Sequence, residues 1–202
     1  MKRLFLALFL ASTLLTGCGS REDGPSAQPE QPPQQETPAD QESPLPEVQM
    51  ILSSGAGGWA TVLDLSPDGS FTGNYHDSEM GSTGEDFPNG TCYVSTFSGQ
   101  LGQPHPGDDG SQVLPLESLT TEQTSGESWI EDGVCYIPTE PFGLENTQEL
   151  RLFAPETSVA GLPEELLNWW PGRWEETRPE TLGSWCLWNE AEQLAFFSYP
   201  EA

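Results

Sequence analysis

From Val48 onward the chain is written in short apolar runs broken every few residues by glycine, proline, aspartate and serine, and this punctuation restricts it to a mainly β fold. Val48, Met50 and Leu52 alternate; a flexible Ser53-Ser54-Gly55-Ala56-Gly57-Gly58 run then leads into Trp59, after which Val62, Leu63 and Leu65 mark a short strand. Ser66-Pro67-Asp68-Gly69 is a turn signal and Phe71 to Tyr75 a second strand, which makes this the clearest hairpin in the chain. Thr91 to Phe97 alternates until Ser98-Gly99 ends it, and Gln112 to Leu119, Glu131 to Ile137, Glu149 to Phe153, Ser184 to Trp188 and Gln193 to Tyr199 are further strands. Within Ser184 to Trp188, Trp185 and Leu187 face one way and Cys186 and Trp188 the other, so this strand is covered on both sides or sits at a subunit contact. Pro163 to Trp170 is the helix candidate: proline fits the first turn, Glu164 and Glu165 complement the positive end of the dipole, and Pro171-Gly172 stops it. The expectation is a single domain over residues 48–202, an antiparallel barrel or sandwich with one short helix near the C-terminus.

The N-terminus has a different grammar. Lys2 and Arg3 are followed by an apolar run from Leu4 to Leu15, then by small Thr16 and Gly17 before Cys18. Leu15-Thr16-Gly17-Cys18 resembles the lipobox of bacterial lipoprotein precursors. That resemblance implies a signal peptide over residues 1–17, a diacylglyceryl group on the Cys18 thiol, and a mature protein anchored on the extracytoplasmic face of the cell membrane. The apolar run is about a dozen residues, whereas a membrane-spanning helix needs roughly 20. From Gly19 to Glu47 seven prolines mix with Gln, Glu, Ser and Asp and no apolar periodicity. Residues 18–47 therefore read as the lipidated cysteine plus a tether, able to extend to roughly 90 Å at about 3.1 Å per residue.

Charge removes whole classes of function. The chain has 32 carboxylates against six Lys and Arg, a formal charge of −26. Loss of Lys2 and Arg3 with a signal peptide would leave four arginines, and 4 − 32 gives −28. Such a surface repels nucleic acid, which is excluded as a partner, and anionic headgroups as well. Lys2 is the chain's only lysine, so chemistry needing a Schiff-base, phosphate-loop or general-base lysine has no residue to use in the mature protein.

Candidate sites are few. His76 to Asp86 holds four carboxylates, Asp77, Glu79, Glu85 and Asp86, among glycines, and two readings compete with that of a solvated strand connection. The oxygens could gather calcium, although their offsets are not those of an EF-hand, or two of them could serve as acid and base in a glycan hydrolase. No nucleophile-elbow signature is present, and two histidines, His76 and His105, cannot build a histidine-rich zinc site. Non-enzymatic binding is the expectation. Five of seven tryptophans, Trp169, Trp170, Trp174, Trp185 and Trp188, fall within twenty residues, either as core or as a surface for stacking sugar rings. Cys92, Cys135 and Cys186 lie on strands, either with one pair oxidised or as three small buried hydrophobes.

Two further resemblances bear on the domain. Trp59 to Leu65, then Asp68-Gly69-Ser70-Phe71, Tyr75-His76-Asp77-Ser78 and Phe87-Pro88-Asn89-Gly90-Thr91, are similar to a group of lipoproteins of clostridia-like gut bacteria, a resemblance that carries no activity with it. Gly57-Gly58-Trp59 is similar to the G-x-W opening of lipocalin-like barrels. The latter implies a lumen for a small apolar molecule and a late arginine, Arg151 or Arg173, packed over Trp59. The function expected is that of a membrane-anchored lipoprotein whose β domain binds a glycan or small apolar molecule, or gives structural support, at the cell surface.

Overall fold

The computed structural model describes residues 44–122 and 127–199, all within the compact unit Gln41–Ala202. The signal-peptide residues, Cys18 and the tether as far as residue 43 lie outside the described residues. Eleven strands follow in order: β1 Val48–Ser53, β2 Trp59–Leu65, β3 Ser70–Glu79, β4 Thr91–Leu101, β5 His105–Pro106, β6 Gln112–Thr121, β7 Trp129–Glu131, β8 Val134–Pro138, β9 Glu149–Phe153, β10 Cys186–Asn189 and β11 Leu194–Ser198. Eight of them, in the order β6-β9-β10-β11-β1-β2-β3-β4, are paired antiparallel, and β4 pairs back onto β6. The fold is thus a closed eight-stranded antiparallel barrel, and the choice between barrel and sandwich is resolved by that last pairing.

Each hairpin rests on its turn chemistry. Between β2 and β3 the Gly69 N–H donates to the Ser66 carbonyl, and Asp68 Oδ1 accepts from both the backbone N–H and the hydroxyl of Ser70. Along β2, Thr61, Leu63 and Leu65 are buried and point inward. With Met50, Leu52, Phe71, Phe97, Leu114, Leu150, Leu152, Leu187 and Phe196 they fill the barrel, as eight strands leave room for little else. Leu45, expected in the tether, is buried in the same core, so the folded part reaches back beyond Val48.

A second apolar layer lies outside the wall. Phe153, Cys186, Trp188, Ala195 and Phe197 project outward from β9, β10 and β11 and are covered by Leu166, Trp170 and Leu182. The strand expected to be covered on both sides is covered on both sides: Leu187 belongs to the inner core, while Cys186 and Trp188 belong to the outer one.

Several boundaries differ from expectation. The helix is α1, a single turn at Glu164–Leu167, followed by a 3-10 turn at Pro171–Trp174. Extended Pro163 at its start provides no side-chain cap, and Trp170 leaves the helical path to donate its indole N–H to the Leu182 carbonyl. Strand β4 runs past Ser98-Gly99 to Leu101, because Gly99 lies opposite Phe71 and makes room for its ring. Glu131 to Ile137 is a hairpin, not one strand: Asp132 and Gly133 both take positive φ and turn β7 into β8. Finally, β3 continues to Glu79, since β2 pairs with it as far as Asp77 and β4 carries the pairing on to Glu79.

Candidate functional site

One end of the barrel is corked by the loop between β8 and β9. Pro141, Gly143 and Leu144 of this loop are buried, and two fully buried polar residues of the wall hold it down. Thr61 Oγ1 donates to the Phe142 carbonyl at 2.7 Å; Asn189 Nδ2 donates to the Gly143 carbonyl at 2.9 Å and to Thr147 Oγ1 at 2.8 Å. The Gly143 N–H donates to Glu145 Oε2 at 2.8 Å, which keeps that carboxylate at the mouth. Each of these bonds satisfies a group that burial would otherwise leave costly.

Four aromatic rings gather around the cork. Phe142 meets Trp59 edge-on at 5.2 Å between centroids and lies 6.1 Å from Tyr75, while Trp169 meets Trp59 at 6.2 Å. Trp169 is tied by its indole N–H to the Gln193 carbonyl in the β10–β11 turn, at 2.9 Å. Trp59, Tyr75 and Trp169 are half-buried, so none is sealed away.

Polar groups sit among the rings. Asp77 lies opposite Trp59 in the β2–β3 register, on the inward face that also carries Tyr75. The Tyr75 pKa is pushed up to about 12, first by burial, then by the negative charges of Asp77 and Glu145. Across the β3–β4 ladder, opposite Tyr75, is Ser95, only 2% exposed. Its hydroxyl is the one buried side-chain polar atom among the described residues that has no hydrogen-bond partner. An unmade bond of this kind costs about 1–3 kcal/mol, so the mouth holds a polar group with unused capacity.

The candidates read from sequence do not come together as one site. Trp170 and Trp188 are buried in the outer core, Trp185 is half-buried against the inner one, and Trp174, 81% exposed, carries the Arg173 guanidinium 4.7 Å above its ring. Only Trp169 of the five reaches the mouth. Of the four carboxylates, Asp77 belongs to the mouth, Glu79 ends β3, and Glu85 and Asp86 are exposed in the following loop. That loop is tied by Thr91 Oγ1 donating to the Ser82 carbonyl and by Asn89 Nδ2 donating to the Asp132 carbonyl, each at 2.8 Å. Among the described residues no three His, Cys, Asp or Glu side chains gather to hold a metal.

Cys92, Cys135 and Cys186 are free thiols. Cys92 and Cys135 are on neighbouring strands, but Cys92 is level with Tyr136 and Cys135 with Thr91, which puts the two on opposite faces. Cys186 is in the outer core, where burial pushes its thiol well above the usual value. Among the described residues no arginine covers Trp59. Arg151 faces outward from β9, where its guanidinium meets Glu190 at 2.9 Å and Asp109 at 3.3 Å, and Arg173 lies over Trp174. The lipocalin-like lumen is likewise filled by side chains.

Ser95, Phe142 and Glu145 carry no motif, and the stretches that hold Trp59 and Tyr75 resemble lipoproteins without any activity to assign, apart from the short G-x-W at Trp59. Tyr75 could have been found by extending the inward alternation of Phe71 and Gly73 by one more step. Phe142 sits in irregular chain, where no periodicity says which way a ring turns.

Fold and site together define a closed, filled antiparallel barrel with an aromatic and acidic mouth. Comparison with protein-family models, with curated proteins and with solved structures finds no match to this chain.

Proposed function

We propose that this is a lipoprotein, cut before Cys18 and lipid-anchored on the extracytoplasmic side, whose barrel mouth binds a sugar of a cell-surface or environmental glycan. Binding rather than catalysis is the role assigned. The observation that carries it is the meeting at one mouth of four aromatic rings, the Tyr75–Asp77 pair and the unpartnered Ser95 hydroxyl. A sugar has apolar faces for such rings and hydroxyls that a carboxylate and a serine can engage. A small apolar ligand in the lumen is less well supported, since core side chains already occupy that space. For the anchor, the support is the lipobox with its charged and apolar flanks.

The test of binding is titration of the full chain, in uncharged detergent, with muropeptides and with host and plant oligosaccharides, read by tryptophan emission. A saturable change is expected with at least one class, weakened more than tenfold in Asp77→Asn and Ser95→Ala while thermal melting stays within a few degrees. No saturable response to any sugar overturns the reading. The anchor is checked separately: Cys18→Ala should abolish incorporation of labelled palmitate in cells, and unchanged labelling would reject it.

A further inference from the structure

The arginines of the described region are distributed in a way that a strongly acidic chain does not require. There are three, Arg151, Arg173 and Arg178, in a chain with 32 carboxylates. Arg151 lies within 4.0 Å of Asp108, Asp109 and Glu190, and these are the salt bridges of the described residues. Arg173 and Arg178 make none, and both line the same groove, an open depression of about 750 Å³ beside α1. Glu164 is the carboxylate of that lining and pairs with neither.

Both guanidinium groups are held by other means. Arg173 stacks over Trp174, donates to the Asn168 backbone carbonyl, and donates to Asn168 Oδ1 at 3.1 Å. Arg178 lies 5.8 Å from the centre of the Trp170 ring, and that ring is itself fixed in the outer core. Stacking orders an arginine without consuming its in-plane N–H donors, of which each has five. Val159, Leu162 and Leu167 add apolar surface to the same lining, beside Glu164 and Asn168. Two guanidinium groups and several apolar side chains thus share one lining.

We propose that this groove is a binding site for a small organic anion, a carboxylate or phosphate carried on an apolar body, with Arg173 and Arg178 receiving the anionic head. Planar guanidinium groups suit both heads, because each offers paired oxygens to a fork of donors. A chain of net charge −26 repels anions at long range, so an anion that binds must be held by these local contacts.

The probes are hexanoate, phenyl phosphate, inorganic phosphate and uncharged hexanol, added to the full chain in uncharged detergent. The read-out is the indole N–H resonances of Trp170 and Trp174 by nuclear magnetic resonance. Saturable shifts are expected with hexanoate or phenyl phosphate, and which is tighter identifies the head group. Binding should weaken at least tenfold in Arg173→Gln/Arg178→Gln. Arg178→Gln alone, whose guanidinium makes no hydrogen bond to the fold, should weaken it severalfold even if the double variant loosens α1. Hexanol binding as tightly as hexanoate, affinity unchanged in Arg178→Gln, or no saturable shift would each overturn the anion site; inorganic phosphate binding as tightly as phenyl phosphate would overturn its apolar half.

Discussion

Tyr75 links the mouth of the barrel to the stability of the whole domain. Its hydroxyl is half-buried and faces two carboxylates, so ionising it in the folded state places a third negative charge beside Asp77 and Glu145. The folded pKa of about 12 lies above the unfolded value of 10.0, and the unfolded chain therefore releases this proton first as pH rises. The resulting stabilisation is complete below pH 10 and is lost as pH climbs towards 12. Urea midpoints measured from pH 8 to pH 11 should fall in the native chain. They should fall less in Tyr75→Phe, which has no proton to release there, and equal slopes in the two would refute the assignment. The sequence shows Asp77 only as part of an acidic run, whereas its effect comes from the inward alternation that sets it on one face with Tyr75.

At the scale of elements, β3 and β4 are locked by a reciprocal pairing of glycine and phenylalanine. Phe71 is level with Gly99 and Gly73 with Phe97, and the two rings meet at 6.4 Å. Each ring lies where a neighbouring Cβ would be: a methyl on Gly73 would strike the Phe97 ring and the Val62 carbonyl. Gly73→Ala should destabilise the domain by roughly 1–3 kcal/mol through overpacking, measured by urea denaturation. Gly58→Ala is the control, since a Cβ there meets nothing within 4 Å and should change little. A Gly73→Ala chain as stable as the control would mean that the ring moves aside freely. The strands themselves could be read from alternation, and β9 falls where expected, because period two survives wherever one face is buried. The ends were less legible. Asp132-Gly133 is a turn signal set inside an apolar run that itself reads as one strand, and Ser98-Gly99 reads as a stop although the glycine serves a ring across the ladder. The helix shrank to one turn because the pull on Trp169 and Trp170 is tertiary: one bonds to the β10–β11 turn, the other to Leu182.

For the whole molecule, closure depends on β4 pairing with two partners. Its first residues, Thr91 to Val94, run parallel to β8, and its last, Phe97 to Leu101, run antiparallel to β6. No local pattern announces that second pairing, which is why sequence left barrel and sandwich both open. Closure also compresses the charge of residues 44–199, three arginines against 25 carboxylates or −22, into a small volume, with three ion pairs, all on Arg151, to offset it among the described residues. Self-repulsion of this size destabilises a compact state. Salt shortens its reach, from a Debye length of about 30 Å at 0.01 M to about 8 Å at 0.15 M. It also weakens the Arg151 pairs, but exposed pairs contribute typically about 0–1 kcal/mol. Repulsion summed over many carboxylates outweighs them, so the melting midpoint should rise between 0.01 M and 0.15 M sodium chloride, by about 2–4 °C for each kcal/mol of repulsion relieved. Arg151→Gln should rise at least as much, because it has no attraction left to screen. A midpoint that falls with salt in the native chain and rises in Arg151→Gln would mean instead that the Arg151 cluster governs the electrostatics of the barrel.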